Sequence, residues 1–538
     1  MLAWLGIAVA SGAAATALVV RDPRIRAAAM LVALGLLPVL VVGDVWDTER
    51  VRELRDSPAQ IAAVGIAAGV ALVALTAAFL RWPHAFPILA FGTLAFRIPV
   101  ELGGDTSNLL LPLYLVIGGG ALAAAIGAAA DRTAAEGAPG RAAAPTARSR
   151  SERGLEIATR ALPWLFAGFL ALYALQSAYS SDISKATETA AFFLIPFAAL
   201  LVLLLDVRWT ARLVAAVAIV FVAEALLFTA IAVWQVEARE LFWNPTVIAG
   251  NEVHTYFRAN SVFWDPNVLG RYLVLALLAA AAYMTWTRSA GRAVGAALAC
   301  GVLLVGLTLS YSQSSVLALL AGLAVLVVPR WGLRWGAAVA AIAVTAAIAF
   351  ALAAGIEPTS ERSLEVRSSG RVTLVSGGLE LAGDRPAYGF GSGSFQEEFT
   401  RRRFDVDQPR DAAISHAEPI TVAAEQGAVG LLLYAGLLLA ALVTLIAVTP
   451  SMPAARAALL AGFVAMVVHS LAYAGFLTDP ATWALLGLGL ALARAPVAAS
   501  ADERVPTAAV PPPHPSSMPA SSSASRPGAA GSAPGSGG

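Results

Sequence analysis

Apolar residues along this chain gather into runs of membrane-spanning length, separated by short polar connections. A helix that crosses a bilayer needs about 20 mostly apolar residues. Runs of this kind fall at 2–20, 27–43, 59–80, 84–97, 109–130, 158–178, 188–205, 212–235, 267–286, 293–309, 315–328, 336–354, 421–448, 457–475 and 481–495. The pattern predicts an all-α polytopic membrane bundle of about 14–15 transmembrane helices. The run 84–97 contains Pro87, and 481–495 suits a tilted or re-entrant helix. No basic segment precedes the first run, and Arg21, Arg24 and Arg26 follow it, so it reads as a retained helix and not as a signal peptide.

Polar segments divide the chain further. Residues 1–80 hold the first helices and 81–130 the next group. A linker at 131–157 precedes the core at 158–354. A long loop at 355–420 leads to the last helices at 421–495 and a Pro/Ser/Ala/Gly-rich tail at 496–538 that has nothing to bury. One set of connections carries 16 arginines, while the opposite short loops carry 7 arginines or lysines. The arginine-rich face is expected to be cytoplasmic, with the linker and the tail on that side. Segments 236–266 and 355–420 then lie outside.

Composition sharpens this picture. Of 538 residues, 58% are hydrophobic and 13% charged, against about 25% charged in soluble domains. The net charge of +1 offers no basic field for nucleic acid. The single cysteine, Cys300, can form no intramolecular disulfide and sits in an apolar run. Within the helices Glu224 is the main acidic exception. Charge gathers in the loops instead, and 355–420 alone holds 8 Arg and 11 Asp or Glu. A transporter would place charges or broken helices near the midplane; this distribution points to chemistry at the outer boundary.

Several residues there are candidates. Asp265-Pro266-Asn267 reads as a helix start, with Asp265 as cap and Pro266 in the first turn. Arg258 and Arg271 flank it, and arginine can hold a phosphate bidentately, although a lone boundary arginine more often reaches to lipid headgroups. In 370–382, Val372, Val375 and Leu379 share a helical face, which predicts an amphipathic helix on the membrane ended by Gly383-Asp384-Arg385-Pro386. Gly389, Gly391 and Gly393 form a flexible turn without the Lys-Ser/Thr of a phosphate loop, and Arg401-Arg402-Arg403 reads as a solvated or headgroup-facing patch. Of the five histidines, His469 reads as a hydrogen-bonded core residue, His84 as cytoplasmic and His514 as part of the tail. His254 and His416 are external, and His416 stands at the rim of the bundle, where an imidazole can take a proton from a hydroxyl. No metal-ligand spacing surrounds either. Asp44, Asp47 and Glu49 form an acidic first loop, a minority alternative for a base or a metal.

Four stretches together resemble the O-antigen ligase and polymerase family of polytopic membrane proteins. The first is R-x-x-S-x-F-x-x-P-N from Arg258 to Asn267. The second is the polar break LTLSYSQSS at 307–315. The third is SGR at 369–371 followed by LELAGDRPAYGFGSGSF at 379–395. The fourth is His416 followed by Glu425-Gln426-Gly427-Ala428-Val429-Gly430. FRIPV at 96–100 and LTDPATW at 477–483 are less specific likenesses. The chain departs from the family at Gln313, where arginine is usual, at Ala417, where asparagine is usual, and in its three extra N-terminal helices.

The resemblance implies a GT-C-like glycosyltransferase needing neither metal nor cofactor. It would move a glycan from undecaprenyl diphosphate to an acceptor hydroxyl on a glycan, lipid or protein, with inversion, on the outer side of the plasma or inner membrane. It would assign the donor diphosphate to Arg258 and Arg371, with Arg271 and Arg97 as lesser choices. His416 would be the base, and Glu418 or Glu425 would orient it. The 370–382 stretch would cover the donor cleft. The rival expectations are a lipid-linked glycan transporter or flippase and a non-catalytic envelope assembly protein.

Overall fold

A computed structural model describes residues 2–44, 57–102, 105–130, 150–253, 255–353, 371–402, 415–448 and 452–494. All belong to one compact unit, Met1–Ala495. The protein is a polytopic all-α membrane bundle, with one small hairpin added.

In chain order the elements are α1 (Leu2–Val19), α2 (Pro23–Asp44), α3 (Pro58–Arg81) and α4 (Ala85–Gly92), then an antiparallel hairpin of β1 (Ile98–Leu102) and β2 (Asp105–Leu109). α5 (Leu111–Ala130), α6 (Arg150–Gln176), α7 (Ile183–Leu205, with a π-helical stretch at Ala190–Leu194), α8 (Ala211–Ala238) and the short α9 (Pro245–Val253) follow. Next come α10 (Pro266–Trp286), α11 (Ala290–Leu309), α12 (Gln313–Trp331) and α13 (Leu333–Ala353). The last are α14 (Arg371–Asp384), α15 (Phe395–Arg402), α16 (Glu418–Ile446), α17 (Pro453–Ser470) and α18 (Pro480–Arg494). Every apolar run seen in the sequence contains a helix. Eleven of the described helices are long and apolar enough to cross a membrane. α4, broken after Gly92, and α18 are shorter.

The helix starts follow local chemistry. Asp265 caps α10 as expected, accepting from Asn267 N at 2.6 Å ahead of Pro266. Ser312 caps α12 by accepting from Ser315 N, and Thr210 caps α8 by accepting from Leu213 N. α7, α10 and α18 form the centre: Ile195–Leu204 are buried throughout, as are most residues of α10 and α18. At the periphery the same residue types face outward. Val73 and Leu298 are each 68% exposed, an arrangement stable only if hydrocarbon is the solvent there.

One expectation changes in detail and another gains a buried side. The apolar run at 457–475 is not helical throughout, because α17 ends at Ser470 and the chain then turns. The predicted helix over 370–382 forms, and the side opposite exposed Leu379, made of Leu374, Gly377, Gly378 and Leu381, faces the protein. Leu374 and Leu381 join Phe390, Phe395, Phe399 and Ala424 in a small separate core, while Leu379 is exposed. The glycine pair lets the helix approach closely: a Cβ on Gly378 would stand 2.5 Å from Ile420 and 3.1 Å from Phe395.

Candidate functional site

The polar end of the bundle is built around the turn after α17. Arg271, one turn into α10, is buried and sends its guanidinium into that turn. Its Nη1 donates to Asp479 Oδ2 at 2.8 Å and Gly475 O at 3.0 Å, Nη2 to Tyr473 O and Ala474 O, and Nε to His469 Nδ1 at 3.2 Å. The pull on three successive carbonyls explains why the helix stops at Ser470. With protein acceptors on Nε, Nη1 and Nη2, Arg271 is committed to shaping the turn and has little left for a diphosphate.

His469 is buried as expected and carries the network onward. Its Nε2 lies 3.2 Å from Ser314 Oγ and 3.1 Å from Ser315 Oγ. Because Nδ1 accepts from Arg271, Nε2 is the protonated nitrogen. Ser315 meets Ser312 at 2.7 Å, and Ser312 donates to Asn267 Oδ1 at 2.9 Å. The polar break at 307–315 and the Pro-Asn at 266–267 thus become one buried chain of hydroxyl, amide and imidazole groups. Gly270 permits this contact, since a Cβ there would fall 2.4 Å from Ser315 Oγ.

Arg258 reaches the same end from the other side. Its backbone is clamped by Asn251, which accepts from Arg258 N at 2.9 Å and donates to Arg258 O at 3.1 Å. The loop behind it is held by buried Gln235, whose Oε1 accepts from Asn260 N and Ser261 N. This grip stabilises Ser261 at a φ of +52°, a conformation uncommon for residues other than glycine. Arg258 Nε lies 3.4 Å from Ser310 O. Its Nη1 and Nη2 have no partner among the described residues.

His416 sits two residues ahead of α16 with φ +54°. Ser415 holds that turn, accepting from Ala417 N and also bonding Thr421 Oγ1. The imidazole packs 5.8 Å from the Tyr473 ring. Tyr473 in turn lies 5.8 Å from the His469 ring and 5.5 Å from the Arg271 guanidinium carbon. Its hydroxyl faces Asp265, and burial together with that carboxylate holds it well above the usual tyrosine range. Tyr473 therefore joins both histidines, Arg271 and Asp265, and sequence reasoning missed it. The available signal was the density of polar residues in HSLAYAGFLTDP at 469–480, hidden inside an otherwise apolar run.

The two glutamates have definite partners. Glu418 accepts from Gly475 N at 2.7 Å, Phe476 N at 3.2 Å and Leu477 N at 3.4 Å, so it fixes the other side of the Tyr473 turn. Glu425 accepts from Gly393 N at 2.9 Å and Phe395 N at 3.2 Å. It anchors the glycine turn. Gly389, Gly391 and Gly393 all have positive φ, and Phe390 N and Gly391 N donate to Ala424 O and Glu425 O. These N–H groups are spent on α16, which explains why the turn is no phosphate cradle. α16 is itself broken at Gly427 (φ +64°), where Ala428 N and Val429 N bond Pro386 O and Ala387 O.

Arg97 approaches Asp479 at 3.9 Å, and its buried Nε lacks a partner among the described residues. Arg371 is the first residue of α14; its side chain, Asp47, Glu49 and His254 lie outside the described residues, and Asp44 ends α2. No cluster of three His, Cys, Asp or Glu occurs among the described residues. Within the helices Glu224 accepts from Tyr272 Oη at 2.8 Å.

A membrane-embedded helical bundle with one polar, loop-built end is the class these features define. Residues 296–435 match the model of the family described as O-antigen ligase. The match runs from α11 into α16 and includes the serine cluster, the glycine turn, His416 and the Gly427 break. Over those residues the chain is similar to the O-antigen ligase family. No curated protein matches the chain.

Proposed function

We propose that this protein is a cell-envelope glycan ligase or polymerase. It transfers a glycan from undecaprenyl diphosphate to an acceptor hydroxyl on the extracytoplasmic side, inverting the anomeric carbon without a metal. The observation that carries this reading is the convergence of His416, Tyr473, Arg271 and Asp265 at one polar end. Arg258, with its outer guanidinium nitrogens unpartnered among the described residues, belongs to the loop that meets the same serine cluster through Ser310.

In this mechanism the acceptor oxygen forms a bond to the anomeric carbon as the bond from that carbon to the diphosphate oxygen breaks. His416 takes the hydroxyl proton. The leaving diphosphate gains charge, and Arg258 and Arg371 stabilise it, with Arg97 contributing. Arg271, Glu418 and Glu425 act one step removed: Arg271 and Glu418 hold the Tyr473 turn that packs on the histidine, and Glu425 holds the glycine turn. The helix α14 covers the donor cleft. The extracytoplasmic placement of this end rests on the arginine bias.

Deleting the gene and examining surface glycans tests the reading. Normal chain length with lost attachment identifies a ligase, and single-repeat glycans identify a polymerase. Surface glycans unchanged in both length and attachment would overturn the proposal and favour a non-catalytic assembly role.

A further inference from the structure

An apolar groove of about 650 Å³ lies between α4, α8, α10, α17 and α18. Its rim is formed where four helices begin or end: Ala211 opens α8, Trp286 ends α10, Arg330 is in the last turn of α12, and Pro453 opens α17. Arg288 and Arg330 stand at this rim, and neither has a hydrogen-bond or ion-pair partner among the described residues. No Asp or Glu lines the groove, so the two positive charges are uncompensated. The first turn of α17 opens on the same rim without a capping side chain, which adds main-chain N–H donors to the arginines.

The groove's depth also selects its occupant. Along α8 it runs from Ala211 to Phe221, which at 1.5 Å per residue is about 15 Å. That is roughly one leaflet of a hydrocarbon core about 30 Å thick. Its inner end stops at Leu94, Leu275 and Ala481, residues that also border the small cavity beneath Arg97, Arg271 and Asp479.

We propose that this groove is a binding site for an anionic glycerophospholipid, whose headgroup phosphate is held by Arg288 and Arg330 and whose acyl chain fills the groove. The charge at the rim matches an anionic headgroup, and the depth matches a single-leaflet acyl chain. A much longer polyprenyl chain with its diphosphate at the opposite, His416 end would leave the arginines unused. Basic pockets between helices commonly take acidic lipid headgroups in this way. The bound chain would pack directly under the polar network and so support it.

The full chain is purified and placed in nanodiscs of phosphatidylcholine alone or of phosphatidylcholine with phosphatidylglycerol. Native mass spectrometry reads the lipid retained, and thermal unfolding reads stability. The wild type is expected to retain phosphatidylglycerol in preference to phosphatidylcholine and to unfold at a higher temperature when it is present. Arg288→Gln with Arg330→Gln should weaken phosphatidylglycerol retention by about 10- to 30-fold, and Ala218→Trp, which fills the groove, should also displace it. Arg292→Gln, exposed at the same end but outside the groove, should not. Equal retention of both lipids by the wild type overturns the proposal, with no variant needed. So does retention of a polyprenyl lipid in the groove, or full retention of phosphatidylglycerol by the double variant.

Discussion

Arg258 is presented differently from the other ionisable residues at the polar end. Arg271, Glu418 and Glu425 each have main-chain partners, whereas the outer nitrogens of Arg258 do not among the described residues. Arg258→Ala and His416→Ala should each abolish glycan transfer in a complementation assay while expression stays at wild-type level; full transfer by either variant removes that residue from the mechanism. Arg258→Lys should recover only part of the activity, because an ammonium cannot copy a bidentate guanidinium contact. Tyr473 is a positioning residue in this scheme. Burial first, and the Asp265 carboxylate next, keep its hydroxyl protonated above the range in which histidine titrates. Tyr473→Phe should therefore lower transfer without moving the pH profile. A profile whose alkaline limb shifts in that variant would assign a titration to Tyr473 itself.

At the scale of elements, the glycine turn and the broken helix α16 form one interlocked unit. A Cβ on Gly427 would stand 2.4 Å from the Ala387 carbonyl carbon, and one on Gly391 would stand 2.6 Å from Ser180 Cα, both at positive φ. Backbone strain of this kind costs about 1–3 kcal/mol before any clash is counted. Gly427→Ala and Gly391→Ala should lower the unfolding temperature in detergent and reduce folded yield, whereas Gly35→Ala, with open space around it, should be near neutral. Equal behaviour of the three would show that the turn is not held by these contacts. The sequence showed the spacing of these glycines but not their purpose. A run of alternating glycines fits a flexible loop equally well, and only the docking of Phe390, Gly391 and Gly393 on residues 424–425 makes it a rigid connector. The amphipathic helix α14 was legible as a helix, but its protein-facing side was not. A face of two glycines and two leucines carries a weaker apolar signal than the valines beside it.

For the whole molecule, the arginine bias predicts an orientation with α14, α15 and the His416 end outside and the Arg288 and Arg330 rim inside. After Cys300→Ala removes the native thiol, Arg402→Cys should react with a membrane-impermeant maleimide on intact cells. Arg288→Cys should react only after permeabilisation. The reverse pattern would invert the topology and with it the proposed side of the reaction.

The sequence alone determined that the chain lives in lipid, where its helices lie and which stretches resemble a glycan ligase. Those properties follow from the length of apolar runs, the proline and cap residues at helix starts and the local order of motifs, all of which are one-dimensional. The tertiary structure decided the partners. Arg271, an expected phosphate ligand, is engaged by carbonyls about 200 residues downstream. Glu425 holds a turn, and Tyr473, unmarked in the sequence, joins two histidines, an arginine and an aspartate. A buried charge must find compensation wherever the packed helices bring it, and no local pattern can say which distant carbonyl, carboxylate or ring that will be.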